Sequence, residues 1–559
     1  MVDMEKFDLL IDTNYVPTDE EVLQIQEYLS EPLQDLKSIE DKVTAAELHL
    51  QNLRREQAKL VQGIDKYRRL ISPVRRLPAD ILREIFLSCL PEDRNPTMSC
   101  DEAPMLLTRI CSVWRSIAMS TPRLWAALHI PVPKSGPVFE ASYDPTTGAR
   151  RLITSVVDAR LEAVVGWMQR SGTLPLSFSL AEIDVYPPTN HAKTFLKCIA
   201  EQRSRWKNIA LVCAGSSLTD FRKIPPSDVP LLQLLSIRVS RPEFAANTEE
   251  LKWKDSPIFS AAGITSLSLC FLDTPLFGFP FSWSQLTHFG LEADRWNTTA
   301  DTSVDDLTSI LENCPNLVSC QLRLGHGSNP QHRVVFPPIS LPRLESMKIY
   351  DAVQIPTFFA AILAPSLRKL EYLADGRARA APNSSAFSRL LAGVGGNLEE
   401  LIVTIGIFET DDAAELFPLC PALRTLVIAS TPLVPPTSHS DDKPATISSS
   451  FLKVLNCVPN LEKFECHTEA NFSDEALLEF ILRKHSGKDL ALKPLKSVYV
   501  LFKRCQTIDI IPLLEDQIAN GLSLTLKYPP RTYRGPFSPY EGLPPALKAD
   551  PYFYLQSPY

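Results

Sequence analysis

From residue 36 to residue 71, seam positions recur in alternating steps of three and four: Leu36, Ile39, Val43, Ala46, Leu50, Leu53, Gln57, Leu60, Ile64, Tyr67 and Ile71. Gln57 alone is clearly polar, and charges such as Glu40, Glu47, Arg54 and Glu56 stand between. Five heptads of this kind predict a coiled-coil helix about 54 Å long at ~1.5 Å per residue. Upstream, Thr18-Asp19-Glu20-Glu21 carries the hydroxyl and the glutamate of a capping box. A first helix is expected from there to Leu29, with Pro32 resetting the chain. A lone apolar stripe lies in water unless something covers it. Three covers are open: a second copy of the chain with Gln57 setting register, the preceding short helix together with later domains of the same chain, or a different protein.

Beyond Ile71 the spacing changes. Apolar residues stand in neighbouring pairs at 77/78, 81/82, 85/86 and 89/90, a repeat of four that lays one broad stripe along a short helix. Pro78 suits the first helical position, where its missing amide costs nothing. A second helix follows with Leu106, Leu107, Ile110, Val113, Trp114 and Ile117, and the segment closes on Leu124-Trp125. Leu77, Pro78, Ile81, Leu82, Ile85, Phe86 and Leu90 cannot all turn inward against one short helix, because a module of about 50–60 residues buries little of its own surface. Each such side chain covered by a partner contributes ~1.5–3 kcal/mol.

The order Leu77-Pro78-Ala79-Asp80, an isoleucine- and leucine-rich stretch over 81–90, Ile110-Cys111-Ser112-Val113-Trp114 and a final Leu124-Trp125 resembles an F-box over roughly residues 71–130. The helix running directly into it resembles the large fungal branch of that family. One departure is an insert from Glu92 to Met105, polar and bearing Pro96 and Pro104, which reads as a surface loop. The resemblance implies docking on a Skp-family adaptor, and through it on a cullin. The residues it assigns to the adaptor are Leu77, Pro78, Ile81, Leu82, Ile85, Phe86, Leu90, Ile110 and Trp114, with Trp114 acting through packing.

The remainder repeats. An L-x-x-L-x-L pattern with aliphatic or aromatic substitutes starts at Trp206, Leu232, Ile264, Leu286, Leu317, Leu344, Leu367, Leu398, Leu423, Leu461 and Leu495, at intervals of 22 to 38 residues. Lead-ins such as Cys314-Pro-Asn-Leu317, Cys420-Pro-Ala-Leu423 and Val458-Pro-Asn-Leu461 precede several copies, and helical stretches such as 305–313 and 473–482 precede many. Each unit therefore reads as helix, proline turn and short strand, with alternate leucines on one face of a parallel sheet covered by the helices. The run resembles an irregular leucine-rich repeat solenoid, the substrate-binding part of many F-box proteins. The family's asparagine or cysteine is missing: Ser240, Asp294, Gly325, Ala352, Asp375, Gly406 and Thr431 stand in its place. Uneven curvature and long loops are expected, the clearest over 431–450. The last segment, 528–559, holds eight prolines and six tyrosines. It reads either as a tether or as a cap on the final repeats; the tyrosines favour a cap as far as Tyr540, with the rest fraying.

Composition adds exclusions. Net charge is −8, from 57 basic and 65 acidic residues, so no general field attracts nucleic acid. The charge is uneven: residues 1–31 hold nine acids and one lysine, and residues 53–76 hold eight bases and two acids. A solvated helix face and a dock for an acidic partner both fit the basic stretch. Twelve cysteines without a C-x-x-C pair read as buried thiols, and His326 and His332 as solvated loop residues. No apolar run reaches the ~18 residues of a membrane helix. Neither a secretory nor a mitochondrial leader fits the acidic start, so an intracellular site, cytoplasmic or nuclear, is expected. The motifs G-x-S-x-G, H-E-x-x-H and G-x-G-x-x-G are all missing, so no catalytic, cofactor or metal residue is assigned and no enzyme activity is expected.

The expected fold is mixed α and α/β: an N-terminal helical and coiled-coil region (1–70), a small helical F-box (71–130), an irregular leucine-rich-repeat-like α/β solenoid (150–527) and the Pro/Tyr-rich tail (528–559). The expected function is substrate recognition in a ubiquitin ligase of the Skp/cullin/F-box type, the repeats binding a protein substrate. The alternative is a non-catalytic coiled-coil and repeat scaffold with no part in ubiquitin transfer.

Overall fold

The computed structural model describes residues 15–71, 73–133, 148–182, 191–239, 253–270, 276–291, 303–324, 335–351, 355–374, 384–404, 410–429, 447, 449–486 and 492–529. The chain divides into two compact units, residues 1–85 and 86–559. That division falls inside the 71–130 segment expected as one domain.

In the first unit the capping box forms. Thr18 Oγ1 accepts from the Glu21 amide at 3.4 Å, and Glu21 Oε2 accepts from the Thr18 amide at 3.0 Å. From it runs α1, Asp19–Leu70, a 52-residue helix about 78 Å long at ~1.5 Å per residue. The break expected at Pro32 does not occur. Proline lacks the amide that would reach the Tyr28 carbonyl, but Tyr28 is 55% exposed, so water can serve that carbonyl while the turns on either side hold the path. No separate first helix therefore exists to fold back on the seam. The heptad instead runs on upstream through Leu36, Pro32, Leu29, Ile25 and Val22. Its side chains lie open: Leu36, Ile39, Val43, Leu50, Leu53, Leu60 and Ile64 are each between 48% and 68% exposed. A 3₁₀ turn, Pro73–Arg76, leads to α2, Ala79–Ser88, which runs across the division.

The second unit continues with α3, Leu107–Ile110, and α4, Ser112–Met119. It then builds a parallel sheet of fourteen strands among the described residues. In chain order the strands are β1 Ala127–Pro131, β2 Leu176–Ala181, β3 Trp206–Cys213, β4 Leu234–Val239, β5 Ser266–Cys270, β6 His288–Leu291 and β7 Ser319–Leu324, then β9 Ser346–Asp351, β11 Lys369–Ala374, β12 Glu400–Thr404, β13 Thr425–Ala429, β14 Lys463–Ala470, β15 Ser497–Phe502 and β16 Ser523–Lys527. The remaining two, β8 Ile339–Ser340 and β10 Ile362–Leu363, pair with each other. Ten of the eleven repeats place a strand two residues after their first leucine-type position; the Trp206 repeat begins its strand at once. The sheet also begins earlier than residue 150, at Ala127.

Alternation puts one side chain of each strand in a single unbroken row. It passes from Leu128 through Phe178, Ile209, Leu235, Leu267 and Phe289 to Cys320, Met347, Leu370, Leu401, Leu426, Phe464 and Val498. All thirteen are buried. Leu524 of β16 ends the row half-buried. A row shared by every strand fixes the register, because a one-residue slip would turn all its side chains outward.

The backing layer is uneven. Helices precede the strands at both ends: His191–Ala200 before β3, Val304–Glu312 before β7, Ser384–Val394 before β12 and Asp474–His485 before β15. In the connections from β3 to β6 the only helical elements among the described residues are 3₁₀ turns, against the expectation of a helix in every unit. Prolines 225, 226, 230, 257 and 280 cut that stretch too short for a helix. Aromatic rings fill the space: Phe281 lies 4.8 Å from Phe259 and 5.2 Å from Trp283, which meets Phe289 at 5.8 Å.

The seven stand-ins for the missing asparagine all lie outside the described residues, but the turns entering the strands are bonded in another way. The amide of the residue after each starting leucine donates to its counterpart one repeat earlier, from Gln233 on Lys207 to Lys496 on Glu462, at 2.7–2.9 Å. The asparagine of the Pro-Asn-Leu lead-in joins this ladder, Asn316 donating to the Ser284 carbonyl and Asn460 to that of Pro421. Gly263 sits so close to the previous turn that a Cβ would stand 2.6 Å from the Leu232 oxygen.

Candidate partner-binding surfaces

The expected adaptor residues separate by exposure. On α2, Ile81 and Ile85 are 46% and 41% exposed, whereas Leu82 and Phe86 are 4% and 0% exposed. The stripe read from the doublets is thus two stripes. Leu82 and Phe86 are core residues, and their expected contact with a partner is corrected to packing. Pro78 is exposed, and Leu77 and Leu90 are half-buried. In the second unit Ile110 is 55% exposed, and Trp114 is half-buried with its ring 4.8 Å from that of Phe86. Val113, Leu106 and Met119 are also open, at 60%, 39% and 42%. They were not assigned to a partner, although Val113 stands beside Trp114 in the motif itself.

The insert of 92–105 is no free loop. Pro96, Ala103 and Pro104 are buried, and the Pro96 carbonyl accepts from the His129 amide at 2.8 Å, closing the outer edge of β1. Asn95 donates to Ser179 Oγ at 3.2 Å. Arg94 and Glu102 staple the loop through two bonds, at 3.1 and 2.5 Å. That guanidinium, helped by the Thr97 amide, holds the Glu102 carboxyl down to about 2. Trp125, completely buried, joins helices to sheet: its indole donates to the Ala118 carbonyl, and its ring meets Trp167 edge-on at 4.7 Å.

The sheet face opposite the buried row changes character along its length. From β2 to β6 its central positions are Ser179, Ala210, Ser236, Ser268 and Gly290, all in register. From β9 onward charge and rings take over. Lys348 pairs with Glu371 at 2.6 Å, Lys369 with Glu400 at 2.9 Å, and Lys463 with Glu465 at 2.7 Å. His467 bonds Glu465 and stacks on Tyr499 at 4.6 Å, with Lys527 Nζ 5.4 Å from the same ring. Surface pairs of this kind contribute only ~0–1 kcal/mol each to stability. They set a pattern of charge that a partner can read.

The last repeats close on one carboxylate. Asp474, fully buried, accepts from Arg504 at 2.8 and 3.0 Å, from the Thr507 amide and hydroxyl, from the Ile508 amide, and from the Tyr528 hydroxyl at 2.8 Å. Burial alone would raise this carboxyl, but the bonds from Arg504, Thr507 and the two amides outweigh it and hold it well below the usual range. Tyr528 also stacks on Phe502 at 4.5 Å. The tail therefore packs on the last repeats at its first residue; 530–559 lie outside the described residues.

His326 and His332 fall outside the described residues too, as does most of 431–450, of which Ser449 and Ser450 begin a helix ending at Val454. Cys213, Cys270, Cys314, Cys320, Cys420 and Cys466 are buried, but Cys89, Cys100, Cys111, Cys457 and Cys505 are exposed, so the reading of uniformly buried thiols holds for only half of them. Burial pushes Cys314, Cys320, Cys420 and Cys466 up to about 12, which leaves them unreactive. Lys484, almost completely buried, donates to the Val458 carbonyl at 2.5 Å and is brought down to about 8 by desolvation. Among the described residues no three His, Cys, Asp or Glu side chains gather as a metal site, and no helix is long and apolar enough to cross a membrane.

No protein-family model matches the chain. No characterised protein matches it in sequence. A chain in the crystal structure of the Rad7 and Elc1 complex in yeast is similar at 13% identity, over 83% of this chain and 96% of that one, with a TM-score of 0.32.

Proposed function

We propose that the chain is the substrate-recognition subunit of a ubiquitin ligase of the Skp/cullin/F-box type. Its F-box-like segment docks on a Skp-family adaptor, and its repeat sheet receives a protein substrate. The observation that carries this reading is that Ile81, Ile85 and Ile110 stand about half in water within the Leu-Pro/Val-Trp pattern, while Leu82, Phe86 and Trp114 hold the packing. Covering the half of such a side chain that is still exposed contributes on the order of 1 kcal/mol each. In the first unit Pro78 is exposed as well, and Leu77 is half-buried. The charged and aromatic face over β9–β16 is the surface for the substrate, and the chain itself supplies no reacting group. Its contribution is to hold a substrate lysine near the ubiquitin carried by a partner.

The test is co-purification of the full-length chain with adaptor and cullin, beside an Ile81→Asp/Ile85→Asp variant. The parent should bring down both, and the variant should lose at least about tenfold in adaptor binding, the equivalent of ~1.4 kcal/mol, with an unchanged thermal midpoint. Equal recovery by both proteins would remove the docking surface. The open seam of α1 favours a second reading, a scaffold without ubiquitin transfer, which recovery of cullin with the parent would exclude.

A further inference from the structure

We propose that α1 pairs with α1 of a second copy of this chain, antiparallel, about a two-fold axis that passes between Thr44 and Ala45. Three independent features of the helix point to this arrangement.

The first is the symmetry of its seam. The helix runs from Asp19 to Leu70, and the seam positions within it run from Val22 to Tyr67. Both have their midpoint between residues 44 and 45. In an antiparallel pair each a position faces a d position of the other chain, so residue numbers in every layer here sum to 89. Leu36 then faces Leu53, Leu29 faces Leu60, and Ile25 faces Ile64. Side chains of like volume meet in every one of these layers.

The second feature is the pair of misfits. Pro32 and Gln57 are the seam positions that suit a coiled coil least, and 32 and 57 also sum to 89. Antiparallel pairing therefore sets each misfit against the other, in two layers related by the two-fold axis. There the Gln57 carboxamide brings an N–H donor beside the turn where Pro32 leaves the Tyr28 carbonyl without an amide. A parallel pair in register would instead stack proline on proline and glutamine on glutamine, so neither misfit would meet the other.

The third is charge. Residues 19–44 hold eight acids and two bases, and residues 45–70 hold six bases and three acids. Antiparallel pairing lays the acidic half of one copy along the basic half of the other; parallel pairing lays like on like. The two axes stand about 8–10 Å apart, close to one screening length at physiological salt, so the difference is felt. With its flanking positions, a seam over 52 residues also supplies the ~20–30 residues per side that a stable interface uses.

This inference is independent of the adaptor reading. The test uses the full-length protein. Light scattering at micromolar concentration should give twice 62.4 kDa, and raising salt from about 50 to about 500 mM should weaken the association several-fold. A single-chain mass throughout, or association that tightens with salt, would overturn the proposal. Direction is read by mixing an Ile25→Cys protein with an Ile64→Cys protein, oxidising, and identifying joined peptides by mass spectrometry. Five native cysteines are exposed, so the joined peptides, and not the dimer yield, are the readout. A link between positions 25 and 64 is expected. Links of 25 with 25 and 64 with 64 would show parallel chains. If the cysteine variants lose the doubled mass, the salt series on the parent decides alone.

Discussion

Leu60 on α1 is 68% exposed, while Leu370 on β11, the same side chain, is completely buried. Both sit in a strict apolar period, one of 3.5 residues and one of two, and both periods form the element they encode. The difference lies in the neighbouring stretches of chain. A strand's apolar face is matched within a few tens of residues by another strand with the same face, and the sheet buries the set as it grows. The stripe on α1 has no second stripe of its kind in the sequence. Periodicity specifies an element; burial needs a counterpart, and the counterpart can belong to another molecule.

Three substitutions probe that contrast, read by tryptophan fluorescence in denaturant. All seven tryptophans lie beyond residue 85, so the signal reports the second unit alone. The largest loss is expected for Asp474→Ala, about 3–5 kcal/mol, because it leaves Arg504 without its counter-charge at a buried site. The same carboxyl sets a pH limit. Its folded pKa lies below the unfolded value near 3.9, so its contribution is complete above that value and is lost as pH falls toward the folded one. The parent should weaken below about pH 4 more steeply than Asp474→Ala. Next comes Leu370→Ala, expected to cost ~2–5 kcal/mol through loss of burial and a residual cavity. Leu60→Ala should leave the transition within about 0.5 kcal/mol of the parent. A cost for Leu60→Ala as large as for Leu370→Ala would dissolve the contrast between helix and sheet.

Much of this was legible in the residues. The eleven strands behind L-x-x-L-x-L could be read because a period of two is set off by a proline turn each time. β1, β2 and β16 were missed for local reasons. Trp125 and an extra residue blur the lead into Leu128 and Ile130, while Leu176, Phe178 and Leu180 alternate without the leading L-x-x, as do Leu522, Leu524 and Leu526. The helix break at Pro32 was wrongly expected because the rule weighs the lost bond and the ring clash; it does not weigh long flanking turns and a hydrated carbonyl. The doublets on α2 could not say that Leu82 and Phe86 turn one way and Ile81 and Ile85 the other. The clasp around Asp474 gathers groups 30 to 54 residues away in the chain, and no local pattern announces it.

The order of strands also bears on how so large a sheet can assemble. Each strand of the fourteen lies beside its immediate predecessor in the sheet. Over the eleven recurring repeats, neighbours are separated by 22 to 38 residues in a chain of 559. Parallel sheets are ordinarily slow to form because distant segments must meet before any pairing rewards them. Here each closure is short, and its entropy depends only on its own loop. Adding a repeat lengthens the molecule without lengthening any closure. Assembly can therefore nucleate at any repeat and run outward in both directions, one strand at a time.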